Sequence, residues 1–235
     1  MTVRKHIPNS ITSLNLLCGV LGVMFTFQDR PDVAFYMMLA AAVFDFLDGL
    51  AARALGAYSD IGKELDSLCD VVSFGVLPAL MLHRTMVMLT DAGIFSCLPL
   101  VLAVFSALRL AKFNVDERQH GSFIGLPTPA SAMICGALCC FVFMEPASAP
   151  ARWCASAWVL PLLACALSAL LVSEVPMFAM KFGKGIEVDR RTKVRRICFF
   201  AVAAAGVILA AALGAHWSLA VLVAFLGYVL VNLFI

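Results

Sequence analysis

Long apolar stretches alternate along the chain with short polar gaps. The apolar stretches cover roughly residues 10–27, 33–55, 64–89, 94–113, 129–145, 154–178, 197–214 and 217–235. A hydrocarbon core of about 30 Å is crossed by about 20 apolar residues in helix. The pattern therefore predicts eight membrane-spanning helices in an all-α polytopic protein. The gaps hold breakers and charges: Asp29-Arg30-Pro31-Asp32, Asp91-Ala92-Gly93, and Glu145-Pro146 through Arg152. No gap fits a soluble domain, and no internal repeat or low-complexity tail is present, so residues 1–235 read as a single integral membrane domain. Arg4 and Lys5 ahead of an apolar run imitate a secretory signal. The run continues through Gly19-Val20-Leu21-Gly22 without a convincing cleavage site, so it reads as the first membrane helix.

Composition agrees with the pattern. Apolar residues make up 63% of the chain and charged residues 14%, against roughly 45–50% and about 25% in soluble domains. A formal net charge of +2 gives no reason to expect a nucleic-acid partner. The placement of the basic residues says more. With the N-terminus taken as cytoplasmic, fourteen of the seventeen fall inside: Arg4, Lys5, Arg53, Lys63, Arg109, Lys112, Arg118 and seven between Lys181 and Arg196. Only Arg30, Arg84 and Arg152 fall outside. That split predicts both termini in the cytoplasm and an even number of spans. The basic loop 181–196 is a topology determinant that can touch anionic headgroups; lining a substrate entrance is the alternative. The nine cysteines form no C-x-x-C pair and read as small buried hydrophobes.

One stretch breaks the apolar pattern. Asp45 and Asp48 stand three residues apart, Asp66 and Asp70 four apart, so each pair shares a helix face. Acids at membrane depth are costly and mark ion or substrate sites. Gly56, Tyr58, Ser59 and Asp60 between the pairs can turn the chain and cap a second helix. Two antiparallel helices would then face four carboxylates toward each other, which demands countercharge. Oxygen-only ligands suit Mg²⁺, Mn²⁺ or Ca²⁺ rather than Zn²⁺. Two such ions can clamp a phosphate and orient an attacking oxygen. Gly49 and Gly62 leave room for a nucleotide against the backbone, and Arg53 can pair with a phosphate. On the aspartates alone, a proton or cation pathway in a transporter is the competing explanation.

The whole pattern, D-x2-D-G-x2-A-R-x8-G-x3-D-x3-D, runs from Asp45 through Asp48, Gly49, Ala52, Arg53, Gly62 and Asp66 to Asp70. It resembles the signature of the CDP-alcohol phosphotransferase family at all eight fixed positions. The resemblance implies a site for two divalent cations, Mg²⁺ or Mn²⁺, with Ca²⁺ as a non-productive occupant. Asp45 and Asp66 would bridge both ions, Asp48 would hold one and Asp70 the other, and Asp70 would also be the general base. It further implies that Gly49, Ala52, Arg53, Ser59 and Gly62 contact the CDP group, with Pro8, Asn9 and Thr12 closing over it.

Further segments resemble the phosphatidylserine synthase branch of that family. They are residues 7–12, Asn15 through Gly19, Glu64 through Gly75, Arg109-Leu110-Ala111-Lys112-Phe113-Asn114, and Gly125-Leu126-Pro127-Thr128-Pro129-Ala130. Lys112, where that branch has Arg, and Ser173-Glu174-Val175-Pro176 depart from it. The branch implies CDP-diacylglycerol and L-serine as substrates, membrane lipids around the chain, a homodimer, and a prokaryotic inner (cytoplasmic) membrane with the site facing the cytoplasm. Arg109, Lys112 and Asn114 are the candidates for holding serine. Snorkelling at a helix end is the competing explanation for the two basic residues. A sibling transferase using glycerol phosphate, inositol or inositol phosphate stays open, as, more distantly, does a transporter.

Overall fold

The structure, a computed structural model, describes residues 6–116, 123–178 and 190–235. Arg4, Lys5, Arg118, Lys181 and Lys184 lie outside the described residues, as does most of the basic loop 181–196.

Each of the eight predicted apolar stretches forms a helix, and the chain is an all-α membrane protein. In order, α1 is His6–Phe27, α2 Pro31–Leu55, α3 Asp60–Leu89, α4 Gly93–Val115 and α5 Thr128–Met144. A short α6, Ala149–Cys154, precedes α7 Val159–Val172, α8 Arg190–Leu213 and α9 Ser218–Phe234. Five of them, α1–α4 and α8, are long and apolar enough to cross a membrane; α5, α7 and α9 are shorter apolar helices. The stretch predicted at 154–178 is helical only over α7. A turn after Cys154 separates it from α6. At its far end Pro176 holds Val175 out of helix, and Pro176–Met177 pairs antiparallel with Phe123–Ile124.

α1 shows how the bundle is turned inside out relative to a soluble fold. Its buried residues are Pro8, Thr12, Asn15, Gly19, Gly22 and Thr26, a single stripe at three- and four-residue spacing. Its large apolar residues Leu14, Leu17, Val20, Met24 and Phe27 are exposed. Small and polar residues inside with apolar ones outside is the arrangement helices adopt when lipid is the solvent. At Gly19 an added Cβ would stand 3.0 Å from Ser73 Cα, so α1 and α3 touch backbone to backbone there.

α5 is the central helix. Apart from Pro129, every residue from Thr128 to Val142 is buried, and α2, α3, α4 and α9 pack around it. This explains its sequence, which is apolar or small on every face. Cys135, Cys139 and Cys140 lie inside it, as expected of small hydrophobes. Cys97 and Cys165 are instead exposed on the apolar outer surface, and no disulfide joins the nine.

α3 is not uniform. Val71–Val76 is a π-helical turn, followed by Pro78. Proline removes a donor and crowds the carbonyl four residues back, and widening the preceding turn relieves that crowding. The wide turn begins immediately after Asp70.

Candidate active site

The site sits where α2 ends, α3 begins and α1 starts. Gly56 stops α2 in the left-handed conformation (φ 57°), its N–H returning to Ala52 and Arg53 carbonyls. Ser59 caps α3, its Oγ accepting from the Gly62 N–H at 3.1 Å. This short turn lays α3 back along α2 and brings the two acidic faces together. One carboxylate oxygen each from Asp45, Asp48 and Asp66 lie within 4.8 Å of one another. Asp70, a turn deeper, is not within that group; it is buried and accepts a hydrogen bond from Asn15 Nδ2 at 3.1 Å.

Few protein donors enter this cluster. Thr12 Oγ1 stands 2.5 Å from Asp48 Oδ2 and 3.1 Å from the Pro8 carbonyl. Its one proton goes to the closer, charged acceptor. Asp66 Oδ1 is buried with no donor among the described residues. Three converging carboxylates so poorly supplied with N–H or O–H groups fit a hard divalent cation, which takes oxygen ligands. Among the described residues the converging side chains are carboxylates alone.

A cavity of about 220 Å³ opens beside the aspartates. Seven of the eight residues expected to contact CDP line it: Pro8, Asn9, Thr12, Gly49, Ala52, Ser59 and Gly62. The eighth, Arg53, stands exposed at the end of α2, next to the lining residue Ala52 but outside the lining. Gly49 faces open space, with no atom within 4 Å of where its Cβ would be. A Cβ on Gly62 would lie 3.0 Å from both Asn9 Oδ1 and Ser59 Oγ. One glycine therefore leaves volume in the cleft, while the other lets Asn9 approach α3. Tyr58 and Lys63 also line the cleft, and sequence reasoning had assigned them only to the turn and to the charge count.

The three serine candidates separate. Arg109 is buried, with Nη1 donating to Thr128 Oγ1 at 3.2 Å and the guanidinium over the Phe113 ring at 5.1 Å. It is within electrostatic range of Asp70. Lys112 is exposed, bordering a small crevice with Arg109. Asn114 Nδ2 donates to Ser67 Oγ at 2.9 Å, and its main-chain carbonyl accepts from Lys63 Nζ at 3.1 Å. It ties the end of α4 to the turn of α3 that carries Asp66. The Gly125-to-Ala130 segment leads into α5, with Gly125 at φ 78° against the carbonyls of Leu171 and Ser173.

Fold and cleft together define an integral membrane protein with a cluster of carboxylates beside a cleft. The particular lineage follows from comparison. The chain belongs to the CDP-alcohol phosphatidyltransferase family, whose profile matches residues 5–170, and it is a transferase of phospholipid biosynthesis. It is 35% identical over 211 residues to the CDP-diacylglycerol–serine O-phosphatidyltransferase of Mycobacterium leprae, covering 87% of this chain and 67% of that protein. To the Bacillus subtilis protein of the same name it is 33% identical over 188 residues, 79% of this chain and 98% of that one. The Methanocaldococcus jannaschii protein, also so named, is 36% identical over 140 residues, 59% of this chain and 63% of that one.

Proposed function

We propose that this chain is a CDP-diacylglycerol–serine O-phosphatidyltransferase, converting CDP-diacylglycerol and L-serine to phosphatidylserine and CMP. The observation that carries the proposal is the run of relatives bearing that name, in bacteria and an archaeon, matched over most of this chain.

In this reading Asp45, Asp48, Asp66 and Asp70 hold two divalent cations, Mg²⁺ or Mn²⁺. Bound there, such ions neutralise the pyrophosphate and the charge that develops on leaving CMP. Gly49 leaves the space into which the nucleotide fits, and Asn9, Thr12 and Ser59 offer polar groups along it. Lys63 and Arg53 stand at its rim to meet phosphate oxygens. Tyr58 presents a ring to the base. The serine hydroxyl attacks the phosphorus that carries diacylglycerol, and the bond from that phosphorus to the CMP oxygen breaks. Asp70 receives the hydroxyl proton. Arg109, the buried cation near Asp70, binds the serine carboxylate, with Lys112 at the outer edge. Asn114 acts on the site by fixing Ser67.

The charge distribution supports a cytoplasmic site. Pro8 and Asn9 at the start of α1 line the same cleft as the α2–α3 turn, so the N-terminus and the site share one membrane face. Arg53, Lys63, Arg109 and Lys112 belong to that face, whereas Arg30, Arg84 and Arg152 lie toward the other. An inner (cytoplasmic) membrane of a prokaryote, both termini inside, and a homodimer whose protomer is one domain over 1–235 complete the proposal.

The deciding assay measures CMP released from CDP-diacylglycerol by purified protein with Mg²⁺ or Mn²⁺. Release is expected only with L-serine present and is expected to be lost in Asp70→Asn. Equal release with inositol or glycerol phosphate would overturn the acceptor, and a fully active Asp70→Asn would overturn the base.

A further inference from the structure

We infer that Asn15 is the positioning residue for Asp70 and that its side-chain carbonyl receives the ammonium group of the acceptor. The inference rests on the serine-transfer reading above.

Asn15 lies in the middle of the apolar α1 and is fully buried, at 0% exposure. A primary amide in such a place is costly without partners. Its Nδ2 donates to Asp70 Oδ1 at 3.1 Å, the pairing that an ionised carboxylate, an acceptor only, calls for. That bond restrains the rotation of the carboxyl group, with Oδ1 turned to Asn15.

The surroundings hold Asn15 rigidly. Its main-chain carbonyl accepts from Ser73 Oγ at 3.1 Å, and Ser73 belongs to the π-helical turn that starts right after Asp70. One turn further along α1, Gly19 permits the backbone contact with Ser73, since a Cβ there would fall 2.4 Å from Ser73 Oγ. The Asn15–Asp70 bond is thus built between two helices held at van der Waals distance one turn away.

The amide's other end is unused. Asn15 Oδ1 is buried and has no donor among the described residues. Amide planarity keeps it next to the nitrogen that binds Asp70, hence beside the group that takes the acceptor's proton. Thr12, one turn earlier on the same stripe, gives its hydroxyl proton to Asp48, so it supplies no donor to Asn15 Oδ1. An ammonium donor two bonds from the reacting hydroxyl carbon satisfies it, and serine carries one whereas glycerol phosphate and inositol do not.

Asn15→Leu removes both functions at nearly constant volume. With the purified variant, kcat is expected to fall about 10- to 100-fold, as for loss of a hydrogen bond to a charged group. KM for L-serine is expected to rise at least fivefold, while KM for CDP-diacylglycerol and the dissociation constant for CMP stay within about twofold. Ser73→Ala, which frees the Asn15 carbonyl, is expected to show the same split at smaller size and covers the case in which Asn15→Leu does not fold. A kcat within threefold of wild type for a folded Asn15→Leu would overturn the positioning role. A parallel loss of CMP binding and thermal stability would overturn it too, because that is the mark of a purely structural residue. An unchanged serine KM would overturn the ammonium contact. Wild-type protein run alongside separates these results from failure of the function itself, since serine-independent or absent CMP release in wild type would strike the underlying activity instead.

Discussion

Thr12 Oγ1 lies 2.5 Å from Asp48 Oδ2 and so fastens the start of α1 to the acidic face of α2. The bond supplies a donor to the oxygen of a carboxylate that is itself 6% exposed. Donors behind a metal-binding carboxylate typically change metal affinity or activity by about 10- to 100-fold when removed. Thr12→Val keeps the shape of the side chain and deletes the donor. The Mg²⁺ or Mn²⁺ concentration giving half-maximal CMP release is expected to rise about tenfold, and Thr12→Ser is expected to restore it. A metal titration of both variants checks this; an unchanged half-point in Thr12→Val would mean that the threonine serves α1 packing alone.

Two glycines of the cleft should respond oppositely to alanine. At Gly49 a Cβ meets nothing of the protein, so Gly49→Ala is expected to leave the protein equally or slightly more stable, with alanine favoured over glycine in helix by about 1 kcal/mol. Its cost should appear in the cleft, as a severalfold rise in KM for CDP-diacylglycerol. At Gly62 the Cβ would press within 3.0 Å on Asn9 Oδ1 and Ser59 Oγ. Gly62→Ala is therefore expected to weaken CMP binding and also lower thermal stability by disturbing the Ser59 cap. Calorimetric CMP binding and thermal unfolding of the two variants, side by side, check the contrast.

The sequence makes some of this legible and hides the rest for physical reasons. Apolar length reveals a membrane helix because the bilayer sets that length, and all eight stretches form helices. The acidic pairs stand out because charge in an apolar run is rare. Which side chains meet across helices is another matter. Asn114 reads as a candidate ligand for serine, and nothing local says that the crossing of α4 over α3 brings its Nδ2 to Ser67. Asn15 reads only as part of a family segment, although its spacing of three from Thr12 places both on one stripe. Nothing local says that the stripe faces Asp48 and Asp70. Pro176 bars the residue before it from helix, which is why the helix expected over 154–178 ends early.

At the far end of the bundle Arg84 donates to both oxygens of Asp29, at 2.6 and 3.0 Å. Asp29 lies in the α1–α2 turn with φ 58°. The Arg84 guanidinium holds its carboxyl below the usual carboxylate range, against a smaller opposing effect of burial. A depressed folded-state value means that the pair stabilises fully above the unfolded value of about 3.9 and that this contribution is lost as pH falls through the folded value. Arg84→Gln is expected to unfold at a lower temperature than wild type at pH 7. The gap is expected to close as pH is taken below about 4. Because Asp29 is largely solvated, the effect is modest, and serine-dependent activity at pH 7 is expected to be retained. Thermal unfolding of both proteins in detergent across pH 3–8 checks it; a gap that widens on acidification would contradict the assignment.

Orientation can be tested at two exposed positions that the fold assigns to opposite faces. Asp60 opens α3 beside the cleft, and Arg152 sits on the short α6 beyond the far end of α5. Both are exposed. Among described residues the site face carries Arg53, Lys63, Arg109, Lys112 and the basic start of α8. On the other face Arg30 is bonded to Asp32, and Arg84 to Asp29. Basic residues near span ends are retained on the cytoplasmic side, so Asp60 is expected inside and Arg152 outside. In a background with the nine native cysteines replaced, Arg152→Cys is expected to react with a membrane-impermeant maleimide in intact cells. Asp60→Cys is expected to react only after permeabilisation. The reverse labelling pattern would turn the protein over in the membrane and place the aspartate cleft on the side away from cytoplasmic serine and CMP.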